Sequence, residues 1–298
     1  MRPIRLVVPF PPAGAYDIVT RLWAEKMKSA LGTMVIENIG GGGSSLGAAA
    51  VARAPSDGYT ILMGGTLPHI NEALLKARPL YDPVKNLDPI AGIAVLTLAL
   101  AVHPSVPAQS LKEFVAYAKV NSGKLSYGHN GSGSLNQLTG EMFKMHAGLP
   151  ELVQVPYRGA AFVMADLISG QVAMGVVGVT EQSLEFHRSG KFRILAVTSP
   201  ARLIAAPDLP TVADAGFPSL TSQSIVGPVA PAGTPRDIIE QIAQATRTAL
   251  AEKTFQQKLV ESGLEVSADT TPEKYRRSLE NDIAFWAPVV KTLGLKVD

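Results

Sequence analysis

Two stretches place residues that could do chemistry at the same kind of junction. Pro11-Pro12-Ala13-Gly14-Ala15-Tyr16-Asp17 and Gly128-His129-Asn130-Gly131-Ser132-Gly133-Ser134 each follow an apolar run and precede a helix-patterned one. A strand that turns at once into a helix leaves the first N–H groups of that helix without internal partners. Together with the positive end of the helix dipole, those groups form a seat for an anion. Read alone, either loop is equally a tight turn permitted by glycine, with Asp17 or Ser134 capping its own helix. Two similar loops in two parts of one chain favour binding.

Other chemistries fail on spacing. A dinucleotide fingerprint needs glycines at fixed offsets, yet the third position after Gly40/Gly42, Gly41/Gly43 and Gly131/Gly133 is Ser45, Leu46 and Asn136. A phosphate loop needs Gly-Lys followed by a hydroxyl residue; here Leu125 and Phe192 follow. Gly43-Ser44-Ser45-Leu46-Gly47 matches the G-x-S-x-G turn of serine hydrolases, which makes Ser45 a candidate nucleophile. That turn should follow a strand directly, but a four-glycine run intervenes, and the last histidine, His187, lies before the final third. The alternative is a helix start of small residues that packs closely. The five histidines form no H-E-x-x-H and no close pair, so neither a metal nor any cofactor is expected.

Composition narrows the classes further. The 298 residues are 46% hydrophobic and 17% charged, enough for one large α/β domain or two lobes. A net charge of +2 without basic runs gives no footprint for nucleic acid or a membrane surface. No cysteine is present, which excludes disulfides and thiolate sites and fits an oxidising compartment. The longest apolar run, Ile90–Val102, has 13 residues, against about 20 for a membrane helix. Met1-Arg2-Pro3 leads directly into a strand pattern, so no secretory signal is expected in this sequence, as in a mature secreted form.

Strand and helix patterns alternate along the chain, which predicts mainly parallel sheets flanked by helices. Helices are expected over 17–31, 160–169, 181–188 and 236–252, the last with Thr234 as N-cap and Pro235 at its first position. Ser110 and Glu113 have capping-box spacing, and Thr271-Pro272 starts a final helix. The apolar run near 95–103 and the stretch 224–233 read as two crossings between lobes. The expected division is residues 1–100 with 225–298 as lobe one and 101–224 as lobe two, with a ligand cleft between them and hinge closure about the crossings. Two consecutive independent domains are the alternative.

The segments "PIRLVVPFPPAGAYDIVTRLWAEKM", "VIENIGGGGSSLGAAAVARAPSDGYTILMG", "HPSVPAQSLKEFVAYAK", "GKLSYGHNGSGSLNQLTGEMFK", "VPYRGAAFVMADLISGQV" and "APAGTP" follow one another in a specific order and spacing. Nearly end to end, the chain resembles the substrate-binding proteins of tripartite tricarboxylate transporters, the Bug-type periplasmic receptors. The resemblance implies a two-lobed α/β fold like that of periplasmic binding proteins. It implies a monomeric, non-enzymatic receptor that closes on a small carboxylate and delivers it to membrane permease subunits. A sensor that presents its ligand to a signalling partner would share the same architecture.

The resemblance also implies the site. A ligand carboxylate meets backbone groups in the loops matching Pro11–Asp17 and Gly128–Ser134, which gives Phe10, Pro11, Ala13, Gly14, Ala15, Tyr16 and Asp17 on one side. Asn130, Gly131, Ser132, Gly133 and Ser134 stand on the other, with Tyr157, Arg158, Gly159 and Ala160 of "PYRGA". Thr66 occupies a position where the family often carries a small hydroxyl residue facing the ligand. The first loop departs from the family's P-P-G-G-x-T-D at Ala13, Ala15 and Tyr16. Tyr16 either adds an aromatic wall to the pocket or packs away from it; Arg158 either meets a distal carboxylate or faces solvent. Gly178 stands where relatives that bind amino acids carry an Asp. The expected ligand therefore has a carboxylate, no ammonium group and an apolar or aromatic body.

Overall fold

The computed structural model describes residues 2–296, and the chain divides into two compact units. Unit one runs to Val95 and resumes at Ser224; unit two is Leu96–Gln223. The chain opens with β1 (Ile4–Val8), α1 (Ala15–Leu31), β2 (Met34–Asn38), α2 (Ser45–Ala52), β3 (Thr60–Gly65) and α3 (Thr66–Ile70). A single widened turn, Asn71–Leu75, continues α3 before the short β4 (Leu87–Pro89). β5 (Ala94–Val102) carries the chain into unit two. There follow α4 (Leu111–Val120), β6 (Ser126–His129), α5 (Leu135–Ala147), β7 (Val153–Pro156), α6 (Ala160–Ser169), β8 (Met174–Gly178), α7 (Glu181–Arg188) and β9 (Arg193–Val197). β10 (Gln223–Pro231) returns to unit one, completed by α8 (Arg236–Leu250), α9 (Lys253–Glu261), β11 (Glu265–Val266) and α10 (Pro272–Leu293).

Each unit has three parallel strands at its centre, β2-β1-β3 in one and β7-β6-β8 in the other. The remaining pairings are antiparallel: β10 with β3 and β4, β11 with β5, and β5 with β8 and β9. The sheets are thus more mixed than the alternation of elements predicts. Parallel neighbours need a crossover helix between them, and β10 arrives through the irregular stretch 198–222 instead of a helix laid on the sheet.

The helix patterns turn into packing as amphipathicity requires. Along α1, Tyr16, Val19, Trp23 and Met27 are buried at helical spacing, and Trp23 donates its indole N–H to Thr246 Oγ1 of α8 at 3.1 Å. Val7, Leu62, Val229, Tyr275 and Leu279 share the core of unit one. Ala99, Val163, Leu167, Val177 and Ile194 share that of unit two. The G-x-S-x-G match also finds a packing reason here. A Cβ on Gly47 would lie 2.5 Å from the Ile39 carbonyl oxygen and 2.9 Å from Pro9 Cα, so this residue must be glycine for α2 to approach β1.

Two capping expectations need correction. α8 begins at Arg236 with Pro235 as N-cap, because Thr234 donates its hydroxyl to the Pro231 carbonyl at 2.7 Å and closes the preceding turn. α1 begins at Ala15, two residues before Asp17, with Gly14 as an N-cap that supplies no side chain. By contrast, Thr271 caps α10, Ser110 caps α4 and Ser134 caps α5 through their hydroxyls. Among the described residues no helix is long and apolar enough to cross a membrane, and no group of three His, Cys, Asp or Glu could hold a metal ion.

Candidate functional site

In parallel sheets, loops at the carboxyl ends of the strands are the usual binding edge, and in unit one this edge gathers Phe10–Asp17, Asn38 and Gly65–Thr66. The loop after β1 is exposed at Pro11, Pro12 and Ala13. Ala13 has φ +64, the left-handed region. Asp17, at the third position of α1 and almost fully buried, holds that conformation: its Oδ2 accepts the Ala13 N–H at 2.9 Å. Arg21, one turn on, grips the same carboxylate with two N–H groups at 2.8 and 3.1 Å, and Asn38 Nδ2 donates to Oδ1 at 3.0 Å. Burial would raise the Asp17 carboxyl, but the hydrogen bonds from Arg21, Asn38 and Ala13 and the Arg21 charge outweigh it and hold the group below the usual carboxylate range.

Asp17 is therefore a fastening for the loop and not the N-cap of α1. The first intrahelical bond is Ile18 N–H to the Gly14 carbonyl at 3.0 Å. The N–H groups of Ala15, Tyr16 and Asp17 precede it, and Gly14 brings no side chain to cap them. The loop thus presents an open helix N-terminus whose flanking acid is already neutralised by Arg21.

Tyr16 packs inward. Its ring lies 4.4 Å from that of Phe10, its hydroxyl shares a 3.1 Å hydrogen bond with Ser224 Oγ, and burial pushes the phenol well above its ordinary range. The partners of its ring and hydroxyl, Phe10 and Ser224, both belong to unit one. Phe10, half-buried, keeps an edge at the surface. Thr66 is fully buried; its hydroxyl donates to Asp282 Oδ2 at 2.5 Å and accepts the Ile225 N–H at 3.0 Å.

Unit two gathers its candidates at the corresponding edge of β6, β7 and β8. The Tyr157 N–H bonds to the His129 carbonyl at 2.9 Å, which sets Tyr157–Ala160 beside the loop Asn130–Ser134. Gly131 (φ +111) lies where a Cβ would come within 3.0 Å of the Tyr157 carbonyl oxygen. This loop bonds largely to itself. Gly133 N–H donates to Gln137 Oε1 at 2.8 Å, Ser134 N–H to the Gly131 carbonyl at 3.1 Å, and Ser134 Oγ accepts the Gln137 N–H at 3.1 Å. Gly133 and Ser134 thus have their donors engaged inside the loop, whereas Ser132 is exposed and the Asn130 Oδ1 atom is buried without a partner. The two junctions that look alike in sequence differ in chemistry, one open and one self-capped.

Arg158 is exposed. Tyr157 donates its hydroxyl to Asp166 Oδ2 at 2.7 Å, and burial, reinforced by that carboxylate, pushes its phenol up to about 12. Gly159 caps α6 through its backbone, and Ala160 opens the helix. Gly178 closes β8, and a Cβ placed on it would meet nothing within 4 Å. A recess bordered by Ala118, Gly123, Gly148 and Leu152 lies at the opposite, amino edge of β6 and β7. Sequence reasoning misses Asn38, Ser224 and Asp282. Asp17 and Arg21 sit at the i, i+4 spacing that pairs side chains on a helix, a signal that could have revealed the fastening. Asn38 and Asp282 come from distant segments and have no local signature.

A body of two α/β units, each with loops poised at the carboxyl edge of a parallel sheet, defines a solute-binding receptor of the periplasmic-binding-protein-like class. The chain belongs to the tripartite tricarboxylate transporter family receptors (TctC), whose family model matches residues 19–295. It is 30% identical over 299 residues to Protein BugT of Bordetella pertussis, covering 99% of this chain and 90% of that one. Among solved structures, R. palustris Rpa4515 with adipate is 33% identical with a TM-score of 0.92, covering 99% of this chain and 98% of that one. MatC of Rhodopseudomonas palustris with bound malate is 28% identical with a TM-score of 0.88, covering 97% and 99% respectively.

Proposed function

We propose that this receptor captures a small organic carboxylate in the periplasm and passes it, unaltered, to the permease subunits of a tripartite tricarboxylate transporter. The observation that carries the reading is the open N-terminus of α1, behind a loop that Asp17 fastens and Arg21 neutralises. Backbone N–H groups aimed outward from a helix start favour a carboxylate, and a rigid loop loses little entropy on binding one. The adipate and malate held by two similar proteins are both dicarboxylates, which supports the ligand class.

On this reading, backbone groups of Pro11–Asp17 hold one carboxylate. In unit two, Asn130–Ser132 and Tyr157–Ala160 are the proposed carboxylate-binding residues, with the exposed Arg158 as the natural partner of a carboxylate. The ligand lacks an ammonium group, because Gly178 ends the apolar "AMGVVG" without an acid to meet one, and an unpartnered buried ammonium is costly. With Tyr16 turned inward, an aliphatic body fits better than an aromatic one.

Calorimetry against adipate, malate, benzoate, aspartate and glutamate tests the reading, alongside incubation with chromogenic esters. Binding of a carboxylate without an ammonium group, and no ester cleavage, is the expected result. Ester turnover abolished by Ser45→Ala, or indifference to every acid, would overturn it.

A further inference from the structure

Asp282, half-buried on α10, accepts the fully buried Thr66 hydroxyl on its Oδ2 at 2.5 Å. Among the described residues no lysine or arginine pairs with it. The Thr66 oxygen in turn receives the N–H of Ile225, next to Ser224, which holds the hydroxyl of Tyr16. Tyr16 is the second residue of α1, and its hydroxyl lies 3.1 Å from where a Cβ of Gly65 would stand. A short chain of hydrogen bonds and contacts therefore leads from the open N-terminus of α1 to a partly buried acid that has no counter-ion among the described residues.

The groups around Asp282 do not neutralise it. Asp269, ahead of α10, adds a like charge, and burial together with that charge raises the carboxyl to about 6 although the Thr66 hydrogen bond opposes the shift. Tyr16 from α1 and Tyr275 from α10 itself are buried phenols raised well above their ordinary range. Of the other elements packed against α10, α3 brings His69, which burial lowers to about 4, and the turn Asn71–Leu75 brings the buried Glu72. β4 brings Asp88, bonded to Arg276 at 2.7 Å, and α8 meets α10 through Arg236, 3.9 Å from Glu273.

We propose that Asp282 links carboxylate capture at the α1 seat to the uptake of a proton, so that the receptor binds its ligand more tightly in mildly acidic medium. The inference rests on the carboxylate reading given above. An anion seated at α1 adds a second negative charge to the unit that holds an acid already lacking a partner, and its field along this chain of contacts favours the protonated acid. The proton comes from solvent and stays on the Asp282 carboxyl. A neutral Asp282 can donate to Thr66 Oγ1, so the contact survives with its polarity reversed.

The sign follows from linkage. Below the pH at which free Asp282 ionises, the group is neutral with or without ligand, and affinity is high and level. As pH rises further, the free protein loses the proton before the complex does, and affinity falls. It levels off once both forms are ionised. If the ligand shifts the ionisation by roughly one unit, affinity falls up to about tenfold across this window.

Calorimetric titration of the full chain with adipate, at pH 6.5 and 8.5, tests the inference in a range where adipate is almost entirely the dianion. Two buffers of different ionisation enthalpy at each pH report the protons exchanged. The expected result is a fraction of a proton taken up at pH 6.5, little at pH 8.5, and an affinity several-fold weaker at pH 8.5. Asp282→Asn, neutral and close in shape, should abolish the uptake and flatten the profile at the higher affinity. Adipate binding with no buffer-dependent heat in the parent overturns the inference while leaving the carboxylate reading intact, and needs no variant. Equal uptake in parent and Asp282→Asn overturns it as well. Failure of adipate to bind at either pH, and of malate with it, overturns both.

Discussion

Asp17 carries a negative charge at the helix start that is to receive an anion, and its hydrogen bonds resolve the conflict. Four donors from Ala13, Arg21 and Asn38 converge on the carboxylate, and Arg21 returns the charge that the ligand would otherwise oppose. Hydrogen bonds to a charged group contribute about 1.5–3 kcal/mol, so Asp17→Ala should lose stability of that order and release Ala13 from its left-handed conformation. Carboxylate affinity should fall with it; unchanged stability with tighter binding would mean that Asp17 merely repels the ligand. Because the Asp17 carboxyl is lowered from 3.8 in the folded chain, its contribution is present above that value and is lost as pH falls through the folded one. Asp282 has the opposite sign. Raised from 3.8 to about 6, its contribution is complete below the unfolded value and is lost as pH rises through the folded one. Urea titrations should therefore find Asp282→Asn more stable than the parent at pH 7.5 and equal to it at pH 3.5. Equal stability at both values would show that the acid is well solvated.

Among the elements, the loop between β6 and α5 depends on one residue. Gly131 combines φ +111 with a backbone approach that leaves 3.0 Å between a Cβ and the Tyr157 carbonyl oxygen, so any side chain displaces the loop from Tyr157–Ala160. Gly131→Val should weaken carboxylate binding tenfold or more, about 1.4 kcal/mol per decade. Its circular dichroism should match the parent, because the loop lies at the edge of the sheet. Parent affinity in this variant would place the ligand elsewhere. What was legible at this scale was periodicity: α6 and α7 occupy the predicted 160–169 and 181–188, where apolar spacing, Gly159 and Gly170 around α6 and Thr180 at the start of α7 mark the bounds. Caps that depend on competition between partners were not legible, since Thr234 could bond either forward to a helix or back to Pro231. The similarity of the two seats was legible, but their difference was not. Gln137, which accepts the Gly133 N–H, and Asn38, which donates to the Asp17 carboxylate, both lie outside the motifs. The hand-overs between units, at Val95–Leu96 and Gln223–Ser224, lie within β5 and β10.

For the whole molecule, the decisive property is which acids it accepts, and thermal unfolding reads that from the intact chain. A ligand that binds only the native state stabilises it by RT ln(1 + [L]/Kd), about 2.7 kcal/mol at a hundredfold excess over Kd. For a chain of this size that amounts to a rise of several degrees. Adipate or malate should produce it, while aspartate and glutamate should not, if the ligand carries no ammonium group as proposed. The position has room for an acid: no atom lies within 4 Å of a Cβ built there, and its φ is one that other residues adopt. Gly178→Asp should therefore fold, since it adds a carboxylate at the end of β8 without displacing a neighbour. In the variant the pattern should invert. On the proposed reading, a second negative charge in the site weakens capture of a dicarboxylate, whereas an α-amino acid gains a partner for its ammonium. If Gly178→Asp folds, loses adipate and gains nothing for aspartate or glutamate, the position controls only the charge of the site. If aspartate stabilises the parent as strongly as adipate does, the ammonium must find its partner elsewhere, and the specificity argument built on Gly178 fails.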